Sequence, residues 1–576
     1  MRQEIATSPA FAKASALLLA MTTSLLSHLK TKTTTNMKQK LEDLFRQYNI
    51  QHITCDSRKI GPHTAFFALK GKSFDGNEFI HEALRAGAIV IAEGKDRHCE
   101  EQSDVAISFL MGFSRQAYGL PQDEVSLFHV PNVRKALAVA AGIIYPNLPK
   151  NIMAVTGTNG KTSVVSYIYQ ILGLLGKSAA SFGTLGLMSN IPMPEMPLNS
   201  LNTPDAITFR KILNELALKG IDKVAFEASS HGIHQHRIGD VKVKTAGFTS
   251  FSQDHLDYHL TMEEYLRVKL QLFAGNLEED AEVVVGSEIL ESEYGKQVLE
   301  FFEENKVGYC VVGAIGASLR VSASAARQSH EAGDPRVQAL PSLGMTNANH
   351  FINITSLIPS LTLTEINFEY KAKNYKFTTD IIGSFQATNI LIAVKMVENL
   401  GIDFDQIIAV LPKVRGVAGR LERAGKINDD FHVFIDYAHT PDALEKSLSE
   451  LKKIKHQSGK LYVVFGCGGD RDHPKRPIMG KIAASLADYV IITDDNPRNE
   501  DPATIRADVL EGALGAEEIN GREAAIVNTI AKLQKNDILL IAGKGHEDYQ
   551  IIGDKVFPFS DIEVAKGCLG LGKPSP

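Results

Sequence analysis

A glycine-rich turn between an apolar strand and a helix constrains this chain more than any other stretch. Residues 155–163 are Val-Thr-Gly-Thr-Asn-Gly-Lys-Thr-Ser, preceded by the apolar run 151–155 and followed by the apolar stretch 164–175. A strand, a turn and a helix start in this order direct several backbone N–H groups and the positive end of the helix dipole at one point. This arrangement binds phosphate. It therefore predicts an α/β domain with a nucleotide at the end of its strands.

The side chains of this turn match the roles found in P-loop nucleotide-binding proteins. Lys161 is placed to bridge the outer phosphates, and the Thr162 hydroxyl is placed to hold Mg²⁺. The spacing between Gly157 and Gly160 is shorter than in the common pattern G-x-x-x-x-G-K-[ST], so we interpret the turn as a variant phosphate loop. The alternative is an ordinary glycine-rich turn. The predicted nucleotide contacts are Gly157, Thr158, Asn159, Gly160, Lys161, Thr162 and Ser163.

Length and composition limit the classes of function. The 576 residues predict about three or four domains, because single cores seldom grow past about 250–300 residues. The net charge of −6 gives no electrostatic case for nucleic acid. The five scattered cysteines have neither disulfide nor zinc spacing, which fits a reducing cytoplasm.

The apolar stretch 14–26 is too short to span a bilayer. We interpret residues 1–36 as a disordered or non-native extension rather than an export signal.

The alternation of apolar runs and helical stretches predicts an α/β fold with three domains. Residues 37–149 are interpreted as a small N-terminal α/β domain. Residues 150–412 are interpreted as a central P-loop ATPase-like domain with a parallel sheet. Residues 413–576 are interpreted as a C-terminal Rossmann-like α/β domain. The periodicity breaks at about 94–128 and 314–343, and we interpret both blocks as disordered surface insertions.

Three polar positions in the central domain leave alternatives open. Glu227 ends a predicted strand, where it is either a Mg²⁺ ligand or a solvated acid. His255 belongs to the sequence Asp-His-Leu-Asp-Tyr-His at 254–259, which is either a metal cluster or a polar loop capping a helix. Lys269 interrupts an apolar helical stretch, and its spacing alone predicts a surface residue whose stem packs along the protein.

Four polar loops follow predicted strands of the third domain, at residues 436–442, 466–472, 494–498 and 543–547. The carboxyl ends of parallel strands share one edge of a sheet, so these loops are expected to converge. They contribute Arg471, Arg498 and Glu547. Two guanidinium groups and one carboxylate suit a zwitterionic amino acid, because the arginines bind carboxylates and the acid binds an ammonium group.

Together, these motifs resemble the Mur ligases, and within them the members that add 2,6-diaminopimelate to a peptidoglycan precursor. The resemblance extends over about residues 56–565, apart from the two predicted insertions. Two positions depart from the family pattern. Gln386 stands where relatives more often have Asn, and Asn202-Thr203-Pro204 stands where many have two threonines.

The resemblance implies ATP and Mg²⁺ as cofactors. It implies that Glu227 and His255 bind magnesium together with Thr162, and that Lys269 is carbamylated. A carbamate turns the ammonium group into an anion that binds Mg²⁺, which accounts for a lysine on an apolar helix. The implied catalytic residues are Lys161, Glu227, His255 and Lys269. The further implied ATP contacts are Asn389, Arg420, Asp436 and His439.

The resemblance also implies two substrate sites. The residues at positions that hold a UDP-muramoyl dipeptide are Ser57, Asn202, Thr203, Ser229, Gln235 and Arg237. The residues at positions that hold the amino acid are Arg471, Asp495, Asn496, Pro497, Arg498, Gly543 and Glu547. In this family the sequence Asp-Asn-Pro-Arg accompanies meso-diaminopimelate. Arg498 supplies a cation for the second carboxylate of that diacid.

The expected activity is ATP-dependent ligation through an acyl phosphate, in cytoplasmic peptidoglycan synthesis, by a monomer that binds neither nucleic acid nor membrane. Three alternatives stay open. The first is another ligase of the superfamily, such as a folylpolyglutamate synthase or a D-Ala-D-Ala-adding enzyme. The second is a nucleotide-binding regulatory or scaffold protein. The third is a ligase that its insertions have inactivated.

Overall fold

The computed structural model describes residues 37–71, 74–94, 127–194, 196, 201–314, 350–427 and 431–570. The predicted N-terminal extension, and all but the ends of the two predicted insertions, lie outside these residues. The described residues form two compact units. The first comprises residues up to Leu148 together with Pro204–Glu215 and His234–Val241, and the second comprises the rest. Among the described helices, none combines the length and apolar character that crossing a bilayer requires.

The first unit contains a parallel sheet of four strands. In spatial order these are β1 (His52–Thr54), β2 (Thr64–Phe67), β3 (Ile89–Glu93) and β4 (Leu127–Val130). Its helices cover residues 37–47, Ile80–Arg85 and Val133–Ile144, with 3-10 turns at Ser57–Lys59 and Gly76–Phe79. Strand β2 is buried along its whole length, as expected for a parallel strand covered on both faces. Apolar clusters containing Phe67 on one face and Phe66 on the other form the two halves of its core.

The second unit contains a sheet of ten strands. In chain order these are β5 (Asn151–Thr156), β6 (Ala179–Gly183), β7 (Gly186–Ser189), β8 (Lys223–Glu227), β9 (Val243–Phe248), β10 (Leu277–Gly286), β11 (Gly308–Gly313), β12 (His350–Pro359), β13 (Thr364–Tyr370) and β14 (Lys373–Thr379). Their spatial order is β14-β13-β12-β11-β10-β9-β5-β8-β6-β7. The strands from β12 to β6 are parallel, and antiparallel strands close both edges.

The phosphate-loop strand β5 therefore lies inside the sheet, between β9 and β8. The register pairs Val155 with Glu227 on β8 and Thr156 with Phe248 on β9. The loops that follow these three strands consequently meet beside the phosphate loop. The helices in this part of the chain are Lys161–Leu174, Ala206–Leu218, Ser230–His234, Leu256–His259, Met262–Gly275, Ser287–Glu291, Gly295–Glu304, Ser384–Glu398 and Phe404–Val410, with a 3-10 turn at Leu411–Lys413.

A six-stranded sheet of the second unit carries the other predicted loops. Its strands are β15 (Glu422–Ile427), β16 (Phe431–Asp436), β17 (Leu461–Phe465), β18 (Tyr489–Ile492), β19 (Glu517–Glu518) and β20 (Ile538–Ala542), in the spatial order β15-β16-β20-β17-β18-β19. All neighbours except β15 and β16 are parallel. A separate hairpin consists of β21 (Tyr549–Ile552) and β22 (Lys555–Pro558). The helices are Pro441–Ile454, Lys475–Leu486, Pro502–Leu510, Arg522–Ile530 and Asp561–Cys568.

The strands of this sheet end in line. The register pairs both Asp436 on β16 and Phe465 on β17 with Ala542 on β20. The polar loops that follow β16, β17 and β20 therefore begin at one edge, as the sequence predicts. The α/β class is confirmed.

Candidate active site

The phosphate loop has the local geometry that its sequence predicts. Strand β5 ends at Thr156, and the helix begins at Lys161 after a turn of four residues. Gly160 precedes the helix with a φ of 89°, a left-handed conformation that favours glycine. A Cβ atom at Gly160 would lie 2.6 Å from Oδ1 of Asn389. The glycine therefore permits both the turn and the close approach of Asn389.

Two cationic side chains meet at this turn. Nζ of Lys161 donates to the carbonyl oxygens of Gly157 at 2.9 Å and Thr158 at 2.8 Å. Burial lowers the pKa of Lys161, while the charge of Glu227 opposes the shift. Arg420, from the segment preceding β15, donates through Nη2 to Oγ1 of Thr162 at 2.9 Å. Both cations thus lie where phosphate is expected.

Glu227 is a buried acid beside the phosphate loop. Its side chain is 1% exposed. Its Oε1 accepts from the Thr184 backbone N–H at 2.8 Å, and its Oε2 accepts from the Thr184 hydroxyl at 3.0 Å. The alternative of a solvated strand-end acid is therefore wrong. The position follows from the register of β8 against β5, which sequence periodicity does not specify.

Lys269 is also buried, so the surface position expected from spacing alone is wrong. The side chain is 1% exposed, and its Nζ donates to the carbonyl of Gly157 at 2.8 Å. The amine lies 4.4 Å from the ring centroid of Tyr265. Burial, with the positive charge of Lys161, holds the pKa of Lys269 well below its ordinary value. The helix Met262–Gly275 thus directs a buried amine at the phosphate loop.

His255 lies in the same electrostatic field. Its ring is 41% exposed, and its Nε2 lies 3.4 Å from Oδ2 of Asp254. Burial lowers the pKa of His255, Asp254 raises it, and both Lys161 and Lys269 lower it further. Over the described part of the chain, no three His, Cys, Asp or Glu side chains are grouped to hold a metal ion. Residues 254–259 therefore do not by themselves supply a group of three metal ligands.

Asp254, which the sequence placed only in a possible metal cluster or capping loop, is a further functional candidate. Burial raises its pKa, but the charges of His255, His439 and Lys475 outweigh burial and bring the pKa below its ordinary value. Lys475 donates through Nζ to the carbonyl of His439 at 2.9 Å. Burial and Lys475 lower the pKa of His439 to about 4. His439, an expected ATP contact, thus lies near Asp254.

A cavity adjoins the phosphate loop within the second unit. Its wall includes six of the expected ATP contacts, which are Asn159, Gly160, Ser163, Asn389, Arg420 and Asp436. Gln386 also lines the cavity, and its Oε1 accepts from Tyr167 and from Asn389, both at 3.1 Å. Gln386 therefore fixes the orientation of the Asn389 amide.

Asp436 is held rigidly in that wall. It accepts from the backbone N–H groups of Leu421 at 2.6 Å and Ala438 at 2.8 Å. Burial nevertheless raises the pKa of Asp436 to about 6.

The loops after the strands of the six-stranded sheet converge as predicted. Oε2 of Glu547 accepts from Nδ2 of Asn496 at 3.0 Å and from Nζ of Lys544 at 3.2 Å. Burial raises the pKa of Glu547, and Asp495 raises it further. Gly543 has a φ of 114°, and a Cβ atom there would lie 2.8 Å from Oδ2 of Asp495. Glycine therefore allows the Asp495 side chain to pack at this corner.

Arg498 is fixed by the neighbouring hairpin. Its φ is 52°, its N–H donates to Ile551 at 3.2 Å, and its carbonyl accepts from Gly553 at 2.7 Å. Its Nη1 donates to the carbonyl of Gly469 at 2.9 Å. Burial lowers the pKa of Arg498, and the charge of Arg471 lowers it further. Two guanidinium groups that repel each other favour a ligand carboxylate between them.

Two buried arginines behind this edge were missed by sequence reasoning. Arg476 is 1% exposed and donates to both oxygens of Glu500, at 3.0 and 2.9 Å, and to Gly468 at 3.3 Å. Arg522 forms a fully buried pair with Asp561 at 2.7 Å. It also donates to the carbonyl of Asp494, which follows β18, at 3.2 Å and to that of Ala542, the last residue of β20, at 2.8 Å. These pairs tie the converging loops together.

The expected UDP-substrate residues are distributed over both units. Ser57, Gln235 and Arg237 belong to the first unit, where Arg237 donates through Nη2 to Oε1 of Gln235 at 2.8 Å. Asn202, Thr203 and Ser229 belong to the second. There the Thr203 hydroxyl donates to the carbonyl of Glu227 at 2.7 Å and lies 2.9 Å from the Ser229 hydroxyl. Thr203 and Ser229 therefore adjoin the strand that carries Glu227.

Three domain families match successive parts of the chain. The Mur ligase family, catalytic domain, matches residues 49–145. The Mur ligase middle domain matches residues 155–397. The Mur ligase, glutamate ligase domain, matches residues 419–545.

Individual proteins are similar over nearly the whole chain. The UDP-N-acetylmuramoyl-L-alanyl-D-glutamate–2,6-diaminopimelate ligase of Rickettsia rickettsii is 42% identical, with 93% of this chain and all of that protein covered. A solved structure with the same protein name is 28% identical, with a TM-score of 0.57 over 91% of this chain and 95% of the other. The MurF ligase of Thermotoga maritima in complex with ADP is 17% identical, with a TM-score of 0.54 over 90% and 97%. This last likeness concerns the fold alone.

Proposed function

Because the chain belongs to the Mur ligase family, we propose that it joins meso-2,6-diaminopimelate to UDP-N-acetylmuramoyl-L-alanyl-D-glutamate with cleavage of ATP to ADP and phosphate. One observation supports this proposal most strongly. The pocket edge formed by Arg471, Arg498 and Glu547 offers two cations and one acid, and it belongs to the same compact unit as the phosphate loop. A nucleotide sensor has no need of such an amino-acid pocket.

In the first step, the D-glutamyl carboxylate attacks the γ-phosphorus of ATP, and the bond to the leaving ADP breaks. The residues 157–163 and the cavity wall with Asn389, Arg420 and Asp436 hold the nucleotide in line for this attack. Lys161 and Arg420 offset the charge that develops on the phosphoryl oxygens. The product is an acyl phosphate.

In the second step, an amine of diaminopimelate attacks the carbonyl carbon of the acyl phosphate. A tetrahedral intermediate forms, the carbon–oxygen bond to the phosphate breaks, and an amide remains. Arg498 binds the distal carboxylate, and Arg471 binds the proximal one. Asn496 and Glu547 orient an ammonium group of diaminopimelate. Asp495, Pro497 and Gly543 shape the corner in which this group lies.

The residues beside the phosphate loop fit a magnesium site. Glu227 is a buried carboxylate, the Thr162 hydroxyl lies at the first turn of the helix, and His255 completes the protein ligands. Lys269 joins them as a carbamate, because a buried amine with a lowered pKa is the nucleophilic form that adds carbon dioxide. Mg²⁺, when bound, neutralises charge on the transferred phosphoryl group.

The carbamate is directly testable. In buffer containing carbon-13 bicarbonate, the protein is expected to show a carbamate carbon signal in NMR spectra. The same signal should be missing from Lys269→Arg, which has no amine that could form this carbamate. A signal of equal strength in that variant would place the modification elsewhere.

The three domains divide the substrates among them. The proposed contacts of the UDP-substrate are Ser57, Asn202, Thr203, Ser229, Gln235 and Arg237, of which Ser57 lies in residues 37–149. Residues 150–412 bind ATP, and residues 413–576 bind the amino acid. Closure of the third domain over the second precedes turnover. We further propose that the protein acts as a monomer in the cytoplasm, where its nucleotide substrates are present.

A ligation assay tests the proposed function. The purified protein receives the UDP-muramoyl dipeptide, ATP and either meso-diaminopimelate or lysine, and products are identified by mass. We expect an ATP-dependent amide with diaminopimelate and at least a hundredfold less with lysine, because lysine leaves Arg498 without its carboxylate, a loss of about 3 kcal/mol. ATP hydrolysis without an amide product would support a sensor role instead. Equal use of lysine would refute the amino-acid assignment.

A further inference from the structure

Tyr437 joins the nucleotide side of the second unit to its amino-acid side. We propose that Tyr437 is a positioning residue through which nucleotide binding at Arg420 aligns Glu547 for the amino acid. The inference rests on the proposed function, because it assigns the amino-acid pocket to Glu547 and the phosphates to Arg420. The two sites are otherwise built from separate loops, so a residue that touches both is a candidate for coupling them.

The contact with the nucleotide side is a cation–π stack. The Arg420 guanidinium carbon lies 4.7 Å from the centroid of the Tyr437 ring, within the range of this interaction. The same guanidinium donates to the Thr162 hydroxyl at 2.9 Å. An anion at the phosphate loop that moves Arg420 therefore also changes the stacking of Arg420 on the Tyr437 ring.

The contact with the amino-acid side is a hydrogen bond. The Tyr437 hydroxyl donates to Oε1 of Glu547 at 3.4 Å, while Oε2 of the same carboxylate accepts from Asn496 and Lys544. A distance of 3.4 Å is long for an O–H donor, whose bonds to oxygen are commonly about 2.5–3.0 Å. Tyr437 is thus the weakest of the donors that orient Glu547. This bond has room to shorten.

The surroundings of the ring limit how it can respond. Its centroid lies 4.6 Å from that of His439 and 5.3 Å from that of His546, and its backbone N–H donates to the Gly419 carbonyl at 2.8 Å. The two histidines flank the ring, and the bond to Gly419 holds the backbone. The remaining freedom is a small rotation that carries the hydroxyl toward or away from Glu547.

A phosphate competes with the Thr162 hydroxyl for Arg420, because a charged acceptor binds a guanidinium group more strongly than a neutral one does. As Arg420 turns to the phosphate, the stacked ring moves with it, and the hydroxyl closes on Glu547. The carboxylate is then fixed where it holds the ammonium group of the amino acid. Nucleotide and diaminopimelate should consequently bind with positive coupling, and the coupling should be reciprocal.

Equilibrium binding tests this coupling in the full-length protein. Diaminopimelate is titrated in the presence of the UDP-muramoyl dipeptide, with and without the non-hydrolysable β,γ-imido analogue of ATP. For the unaltered protein, we expect the analogue to tighten diaminopimelate binding about tenfold, within the usual range of coupling between sites. Tyr437→Phe keeps the ring and the stack but removes the hydroxyl. In this variant the tightening should fall to less than about twofold, with unchanged affinity for the analogue.

Tyr549→Phe is the matched control. Tyr549 lies in the same electrostatic environment as Glu547, and its ring lies 5.5 Å from Nζ of Lys544, but its contacts do not extend to Arg420. The control should keep the full tenfold tightening. Equal tightening in Tyr437→Phe and the unaltered protein would overturn the inference. So would a Tyr437→Phe variant that loses affinity for the analogue itself, because its role would then lie on the nucleotide side alone.

Failure of the proposed function gives a different result. In that case the unaltered protein forms no amide with diaminopimelate and does not bind it with or without the analogue, which overturns both proposals together. If the unaltered protein ligates diaminopimelate but its binding is insensitive to the analogue, the proposed function stands and the coupling is refuted.

Discussion

The phosphate loop and the amino-acid pocket of the second unit are built in opposite ways. The phosphate loop is local in sequence, since one strand, a turn of four residues and one helix supply its geometry. The amino-acid pocket draws Arg471, Arg498 and Glu547 from three loops after different strands. Buried ion pairs hold these loops together from behind. A local site depends on backbone conformation, whereas a composite site depends on the packing of side chains distant in sequence.

This difference predicts how each region fails. A substitution in the phosphate loop should remove chemistry and leave the rest of the structure unchanged. A substitution behind the amino-acid pocket should change affinity for the amino acid and the free energy of unfolding together, without a direct effect on the nucleotide.

The largest effect is expected for Lys161→Ala. Loss of the ammonium group at the phosphate loop should lower kcat by about a thousandfold, as for removal of a group that stabilises transition-state charge. Binding of diaminopimelate without nucleotide should be unchanged, which calorimetric titration can measure. A comparable loss of diaminopimelate affinity would show that the two regions are not separable.

Arg498→Ala should have the next largest effect. Without the guanidinium group, the distal carboxylate of diaminopimelate loses its partner, and kcat/KM for diaminopimelate should fall about a hundredfold. The KM for ATP should stay within about twofold. Steady-state kinetics with each substrate varied separately provides the measurement. The assignment of Arg498 is refuted by an unchanged apparent affinity for diaminopimelate.

Arg476→Met tests the supporting network. The change leaves Glu500 without its buried partner, which should lower the free energy of unfolding by about 3 kcal/mol and raise the KM for diaminopimelate about tenfold. Urea unfolding and kinetics at saturating ATP measure the two effects. Lys532→Met is the control, because its pair with Glu517 is half exposed on both sides. It should cost less than about 1 kcal/mol and leave the KM unchanged.

The smallest effect is a shift with pH. Burial raises the pKa of Glu547, and Asp495 raises it further, while Lys544 and Asn496 oppose the shift. The carboxylate is the form that binds an ammonium group. As the pH falls through the raised pKa, protonation should weaken diaminopimelate binding at a higher pH than for an ordinary glutamate. KM measured over a series of pH values should therefore decrease as the pH rises, whereas Glu547→Gln should show a high and nearly constant KM.

The same contrast explains what the sequence reveals. Strands such as β17 and the helix after the phosphate loop follow from short-range periodicity, and converging loops follow from the parallel sheet. The buried positions of Lys269 and Arg476 do not follow from short-range periodicity. Each is a charged residue on a helix, and charged residues on helices are usually solvated. Only contacts between segments far apart in sequence place them inside.

Residues that connect two different loops are the hardest to identify from sequence. Tyr437 lies within a motif that the sequence analysis singled out, yet its motif gives no indication that Arg420 stacks on one side and Glu547 accepts on the other. Asp254 similarly gains its environment from His439 and Lys475, which lie 185 and 221 residues further along the chain. Sequence motifs identify individual loops, whereas only the three-dimensional structure shows which loops contact each other.

The claim that phosphate loop and amino-acid pocket serve one reaction is tested most directly by isotope transfer. The D-glutamyl carboxylate of the UDP-muramoyl dipeptide is labelled with oxygen-18, and the inorganic phosphate released with diaminopimelate and ATP is analysed by mass. An acyl phosphate requires the phosphate to leave with one carboxylate oxygen, so we expect one labelled oxygen for each amide formed. Amide formation accompanied by unlabelled phosphate would contradict the account.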